Sequence, residues 1–106
     1  MFDIPDDFVR WMIAVHEEEG LAWLKRLPAI LASCEQRWGL TLAPPFAPLS
    51  FHYAAPAMRA DGTPVVVKAC SPTGEFEQEA EALRLFDGRG MVRLLDYHRD
   101  DEVLLL

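Results

Sequence analysis

The sequence predicts an α+β fold: N-terminal helices, then a five-stranded antiparallel sheet with one further helix packed across a face. Three observations carry this prediction. Apolar side chains recur at helical spacing through the first forty residues. Beyond them, short apolar runs alternate with turn-forming residues, as strands and hairpins require. Between two of those runs lies Glu75–Phe86, a helical stretch with one apolar side.

In chain order, Pro5-Asp6-Asp7 suits a helix start, because proline needs no partner there and acids face the free amides. Phe8, Trp11, Met12 and Val15 then form a stripe that ends before Glu17-Glu18-Glu19-Gly20. A second helical segment carries Leu21, Leu24 and Leu27. Pro28 lacks an amide donor and should start a new helix or kink the old one. A third segment carries Leu27, Ile30, Leu31, Cys34 and Trp38, and Gly39 stops it. Trp11, Trp23 and Trp38 are expected to supply packing rather than a ligand platform.

Thr41–Pro48 is too rich in proline for a helix or a central strand and reads as a connector. It divides an N-terminal helical segment, 1–40, from a β-rich part, 41–106. Leu49–Met58 reads as extended chain, with Pro56 marking an edge or a bulge. Ala60-Asp61-Gly62-Thr63 is a hairpin turn, since Asp-Gly supports the positive φ that such turns need. Pro64–Lys68 is the next strand. After the helix, Asp87-Gly88-Arg89-Gly90 ends it, and Met91–Tyr97 can form another strand. His98–Asp101 turns the chain, and Glu102–Leu106 begins a last strand.

Composition narrows the function classes. The 106 residues can bury one core, and 51% are hydrophobic, which excludes a disordered chain. Seventeen acidic against ten basic residues give a net charge of −7. That balance argues against a nucleic-acid or anionic-membrane surface and is compatible with a cationic small substrate. Cys34 and Cys70 lie far apart, and His16, His52 and His98 are scattered, so no zinc-like spacing exists. Both cysteines are expected as reduced, buried thiols. The N-terminus has no basic stretch followed by an apolar run, and a cytoplasmic protein is expected.

The chemistry concentrates between Pro64 and Phe86. Side chains alternate along Val65-Val66-Val67-Lys68, so Lys68 shares a face with Val66. On the helix, Phe76, Glu79, Leu83 and Phe86 follow a three, four, three spacing with Ala80 beside them, which sets Glu79 inside the apolar arc. A carboxylate there needs a partner, and Lys68 is the nearest cation. A strand lysine held by a helix glutamate is how kinases grip the α- and β-phosphates of ATP. The same two residues also fit a solvated strand end and an edge carboxylate, or a structural ion pair.

Four pieces occur in an order that resembles the aminoglycoside/hydroxyurea antibiotic resistance kinase family: Trp23–Pro28, Arg37–Leu40, Asp61–Lys68 and Glu79–Gly90. The resemblance runs from about Pro5 onward and implies a protein-kinase-like fold of two lobes, of which this chain is the N-lobe. It also implies transfer of the γ-phosphoryl of ATP to an alcohol group of an aminoglycoside or a related small molecule. On that basis Lys68 is the phosphate-gripping lysine, Glu79 its partner, and Val66 part of the apolar roof over adenine. Ser50-Phe51-His52-Tyr53 falls where a loop would cover the phosphates, and Ser50 would bind through its hydroxyl in place of the missing glycines. A surface turn fits that tetrapeptide equally well.

The chain departs from the family in what it lacks. Phosphoryl transfer needs an acid to position the acceptor hydroxyl, together with ligands for Mg²⁺. In kinases these lie on the second lobe, in a His-x-Asp-x-x-x-x-Asn loop and a later Asp. That full pattern is absent here, where His98 precedes Arg99-Asp100-Asp101-Glu102. No catalytic residue is therefore assigned. The expectation is an N-lobe truncated at the interlobe hinge and inactive by itself. The competing class is a kinase-derived interaction or structural domain that self-associates through an exposed lobe interface.

Overall fold

The computed structural model describes residues 2–47, 52–72, 74–89 and 92–106. Among the described residues, two helices and five short strands follow in the order α1 (Asp6–Trp38), β1 (Leu40–Leu42), β2 (Tyr53–Arg59), β3 (Pro64–Ala69), α2 (Phe76–Phe86), β4 (Asp96–His98) and β5 (Val103–Leu105). All strand pairs are antiparallel, in the order β1-β2-β3-β5-β4. The α+β class and the five-stranded sheet are as expected.

The three short helices expected at the N-terminus are instead one run of 33 residues, interrupted at Glu17 (φ 53°, ψ −124°). No break occurs at Pro28. Leu24, Leu27, Leu31 and Cys34 form one unbroken buried stripe through it, with Ile30 alongside. Burying each large side chain yields roughly 1.5–3 kcal/mol, so the stripe outweighs the ~3 kcal/mol that an interior proline costs. The turn at Glu17 has a different origin. A Cβ on Gly20 would lie 2.4 Å from the Met12 carbonyl oxygen, so the two helical arms approach as only glycine permits. That approach brings the Phe8 and Trp23 rings to 6.0 Å, edge to face. It also explains Val15 and Leu21, which were expected on the apolar side but are exposed where the backbone swings away.

The helix α1 packs on one face of the sheet. Its buried residues share a core with Tyr53, Ala55, Ala57, Val65, Val67, Ala69, Val103 and Leu105, the inward set of the alternating strands. The Tyr53 hydroxyl donates to the Asp3 carbonyl at 2.7 Å, tying the N-terminal segment to β2. Trp38 Nε1 donates to Asp96 Oδ2 at 2.8 Å, joining the end of α1 to β4. Trp23 is buried, while Trp11 and Trp38 pack partly buried against the same core.

Strand boundaries differ from the sequence reading at three places. Leu40–Leu42, expected as the end of the N-terminal segment just past the helix stop at Gly39 and the start of the connector, form an edge strand, where nearby prolines cost no ladder bonds. The Glu35 carboxylate accepts the Leu42 amide at 2.9 Å and holds that edge. Pro56 lies within β2, a strand flanked on both sides; it is tolerated because β1 ends at Leu42, opposite Ala57. The strand expected over Met91–Tyr97 is only Asp96–His98, since the three-residue β5 offers no longer partner, and Val92 and Leu95 stay exposed. Leu49–Phe51 and Met91 lie outside the described residues.

The helix α2 covers part of the opposite face. Phe76, Ala80 and Leu83 pack with Cys70 and Leu104, joined by the partly buried Leu94, Tyr97 and Leu106. Phe86, placed on the apolar arc by spacing, is instead 45% exposed, because it is the last helical residue before Asp87 turns into the left-handed region.

Candidate functional site

The site lies on the face of the sheet that carries α2. The β2–β3 hairpin sets Lys68 opposite Ala54, and β3–β5 pairing sets it opposite Leu104. Side chains of paired residues share a face, so Ala54, Pro56, Val66, Lys68 and Leu104 all point to the side of α2. Val66 exchanges both backbone bonds with Leu106, at 3.0 and 2.8 Å, which ties the middle of β3 to the residue that follows β5. The helix covers Leu104 but leaves Ala54, Pro56 and Val66 half-buried, an apolar strip beside the ion pair.

The Lys68 ammonium donates to Glu79 Oε1 at 2.5 Å, with each side chain about a quarter exposed (26% and 27%). Burial decides what the contact is. A fully solvated pair would be worth little, and a fully buried one would carry a desolvation cost. This pair keeps one side open, so an anion could approach the ammonium without first breaking the fold. The contact expected from helical and strand phase is thus formed. Ser50, also assigned to the site, lies outside the described residues.

His52 was not assigned from the sequence, yet it stands at the same place. It is 8% exposed, directly precedes β2, and its Nδ1 accepts the Ser71 amide at 2.9 Å with Ser71 Oγ at 3.2 Å. Its Nε2 lies 3.6 Å from Glu75 Oε2, beyond hydrogen-bond range but close enough for charge to be felt. Burial lowers the His52 pKa below the ordinary 6.5, and the Lys68 charge adds to this, while Glu79 and Glu75 oppose it. One sequence signal could have found it. His52 is in phase with Ala54 and Pro56 on a hairpin whose other arm ends in Lys68.

The cysteines take no part in this chemistry. Both are free and buried, and burial pushes the thiols up to about 11 for Cys34 and about 12 for Cys70. His98 Nδ1 accepts the Asp101 amide at 3.3 Å inside the β4–β5 turn, and Leu105 stands where a His-x-Asp-x-x-x-x-Asn loop beginning at His98 would need asparagine. No group of three or more His, Cys, Asp or Glu side chains among the described residues could hold a metal ion. No helix among them is long and apolar enough to cross a membrane.

Comparison with characterised proteins finds relatives along the whole chain. A streptomycin 6-kinase of Streptomyces griseus is 35% identical over 103 residues, covering 97% of this chain and 34% of the relative. A streptomycin 6-kinase of Streptomyces glaucescens is 33% identical over 106 residues, covering all of this chain and 34% of the relative. A hydroxyurea phosphotransferase of Kitasatospora aureofaciens is 36% identical over 104 residues, covering 98% of this chain and 31% of the relative. No family model matches the chain, and no solved structure does. The chain spans about a third of the length of these relatives. Related along essentially its whole length to phosphotransferases of both kinds, the chain belongs to the aminoglycoside/hydroxyurea antibiotic resistance kinase family.

Proposed function

We propose that these residues form the nucleotide-binding N-lobe of an ATP-dependent small-molecule phosphotransferase that uses an alcohol group as acceptor. The observation that carries the reading is the Lys68–Glu79 contact at 2.5 Å beside a half-buried apolar strip. An ammonium fixed by a carboxylate and open on one side suits the oxygens of a nucleotide's phosphates. Val66, with Ala54 and Pro56, offers apolar surface for a purine ring. Ser50 remains the proposed hydroxyl contact from the preceding loop. Bound ATP would supply the transferable phosphoryl group, and this chain's part is to grip and orient it. The described residues fit the nucleotide better than they fit Mg²⁺, whose ligands we place on the second lobe of the family.

The division at residues 40 and 41 follows the same reading, with 1–40 as a helical segment and 41–106 as the lobe proper, ending near the interlobe hinge. In cells the protein works in the cytoplasm, on ATP and a small hydroxylated substrate such as an aminoglycoside. We expect the 106 residues by themselves to transfer no phosphoryl group, because the described residues hold no acid placed to orient an acceptor hydroxyl.

Titration calorimetry of Mg-ATP into the chain and its Lys68→Met variant tests the reading. Saturable binding by the parent, weakened about tenfold or more in the variant, supports it. Equal and negligible heats for both proteins would overturn it for this chain. A second reading, a non-catalytic interaction domain, is favoured by the exposed apolar side chains of Leu85, Phe86, Val92 and Leu95. Concentration-dependent sedimentation that is indifferent to Lys68→Met would select it.

A further inference from the structure

His52 is a buried titratable group that the gripping of phosphates does not itself use. Its surroundings form a chain of contacts that ends on the ion pair. The Ser71 amide donates to His52 Nδ1 at 2.9 Å, so that nitrogen is the unprotonated one and the ring's hydrogen sits on Nε2. Nε2 faces Glu75, the residue from which α2 starts, at 3.6 Å. The Glu75 carbonyl accepts the Glu79 amide at 3.0 Å, and the Glu79 carboxylate takes the Lys68 ammonium at 2.5 Å. One ring thus touches both ends of the turn between β3 and α2. The N-cap residue Glu75 makes no side-chain cap hydrogen bond to the first turn of α2, and the Arg99–Glu77 pair at 2.8 Å ties that turn to the β4–β5 turn rather than to the end of β3.

We propose that His52 is a positioning residue: by clamping Ser71 and facing Glu75 it fixes the β3–α2 turn and thereby holds Glu79 against Lys68. The clamp works only while Nδ1 is free to accept. A proton there would set a donor against the Ser71 amide, beside the Lys68 charge, with Glu75 and Glu79 as the facing carboxylates. The grip on Glu79 is therefore strongest above the histidine's titration and loosens as acid protonates the ring. For its consequence in ligand binding the inference rests on the nucleotide-lobe reading; its geometry does not.

The test compares the full chain with His52→Asn and His52→Phe. Asparagine can present Oδ1 near the position of Nδ1, whereas phenylalanine fills the space and accepts nothing. Amide-exchange protection of Ser71 and Glu79 at pH 7.5 should fall about tenfold in His52→Phe and return to within about threefold in His52→Asn. In the parent, protection at both amides should drop as pH falls below about 6.5, while in His52→Asn it should stay level. Unchanged protection in His52→Phe, or failure of His52→Asn to rescue, would overturn the proposal. Should His52→Phe not fold, ring ¹⁵N shifts of the parent decide: a protonated Nδ1 in the neutral ring would overturn the proposal, and a protonated Nε2 supports it. Mg-ADP affinity measured in parallel separates the two readings. Absence of binding by the parent sinks the nucleotide reading while the amide data still decide the clamp. Binding that survives His52→Phe undiminished overturns the clamp's role in the site.

Discussion

Breaking the Lys68–Glu79 contact one side at a time, and then on both sides, tests the physical core of the site. The perturbations are Lys68→Met, Glu79→Met and the double variant, each close to the original side chain in length. At 2.5 Å the pair is a charge-assisted hydrogen bond, and such bonds contribute about 1.5–3 kcal/mol net. Each side chain is still about a quarter exposed, so water screens part of that and re-solvates a widowed partner. Discounting for this, each single variant should lose about 1–2 kcal/mol, well below the 3–5 kcal/mol seen when a fully buried pair is broken. The double variant leaves no widowed charge and places two flexible apolar side chains beside Leu83 and Leu104. It should therefore fall no lower than either single one, giving a coupling energy of about 1–2 kcal/mol. Urea unfolding followed by tryptophan fluorescence measures all four proteins. A coupling below about 0.5 kcal/mol would refute the argument, because the pair would then behave as an ordinary surface contact.

Gly20→Ala should destabilise by about 1–3 kcal/mol, although helix propensity alone predicts a gain of about 1 kcal/mol, since the new Cβ would meet the Met12 backbone; thermal melts give the sign. Tyr53→Phe removes the hydroxyl bonded to the Asp3 carbonyl and should cost about 1 kcal/mol in urea unfolding, with faster amide exchange in the N-terminal segment. Leu27→Ala, at a fully buried position, should cost about 2–5 kcal/mol by the same assay. The His52 pKa is lower in the fold than its ordinary 6.5, so the unfolded chain binds the proton more readily. Its contribution is complete above pH 6.5 and declines as pH falls toward the folded value, and urea midpoints for the parent and His52→Asn should converge in that window. With their pKa values pushed to about 11 and about 12, Cys34 and Cys70 should react with a thiol reagent at pH 8 only as fast as the chain opens, and immediately in urea.

Much of this protein was determined by its sequence. Alternation along Pro64–Lys68 and the spacing of Phe76, Glu79, Ala80 and Leu83 place an ammonium and a carboxylate on facing surfaces, because those two periods are properties of single elements. What tertiary structure decided is how the elements meet. The hairpin pairs Arg59 with Thr63 around three residues, with positive φ at Gly62 alone. A loop one residue longer or shorter would have slipped the register and sent Lys68 to the α1 side. Local rules placed a break at Pro28, but burial of Leu27, Ile30 and Leu31 against the sheet carried the helix through it. Strand phase sets His52 on the Lys68 face, but no local pattern marks its partners. Its place beside Ser71 and Glu75 exists only once two strands and a helix terminus converge, and no one-dimensional period records that convergence.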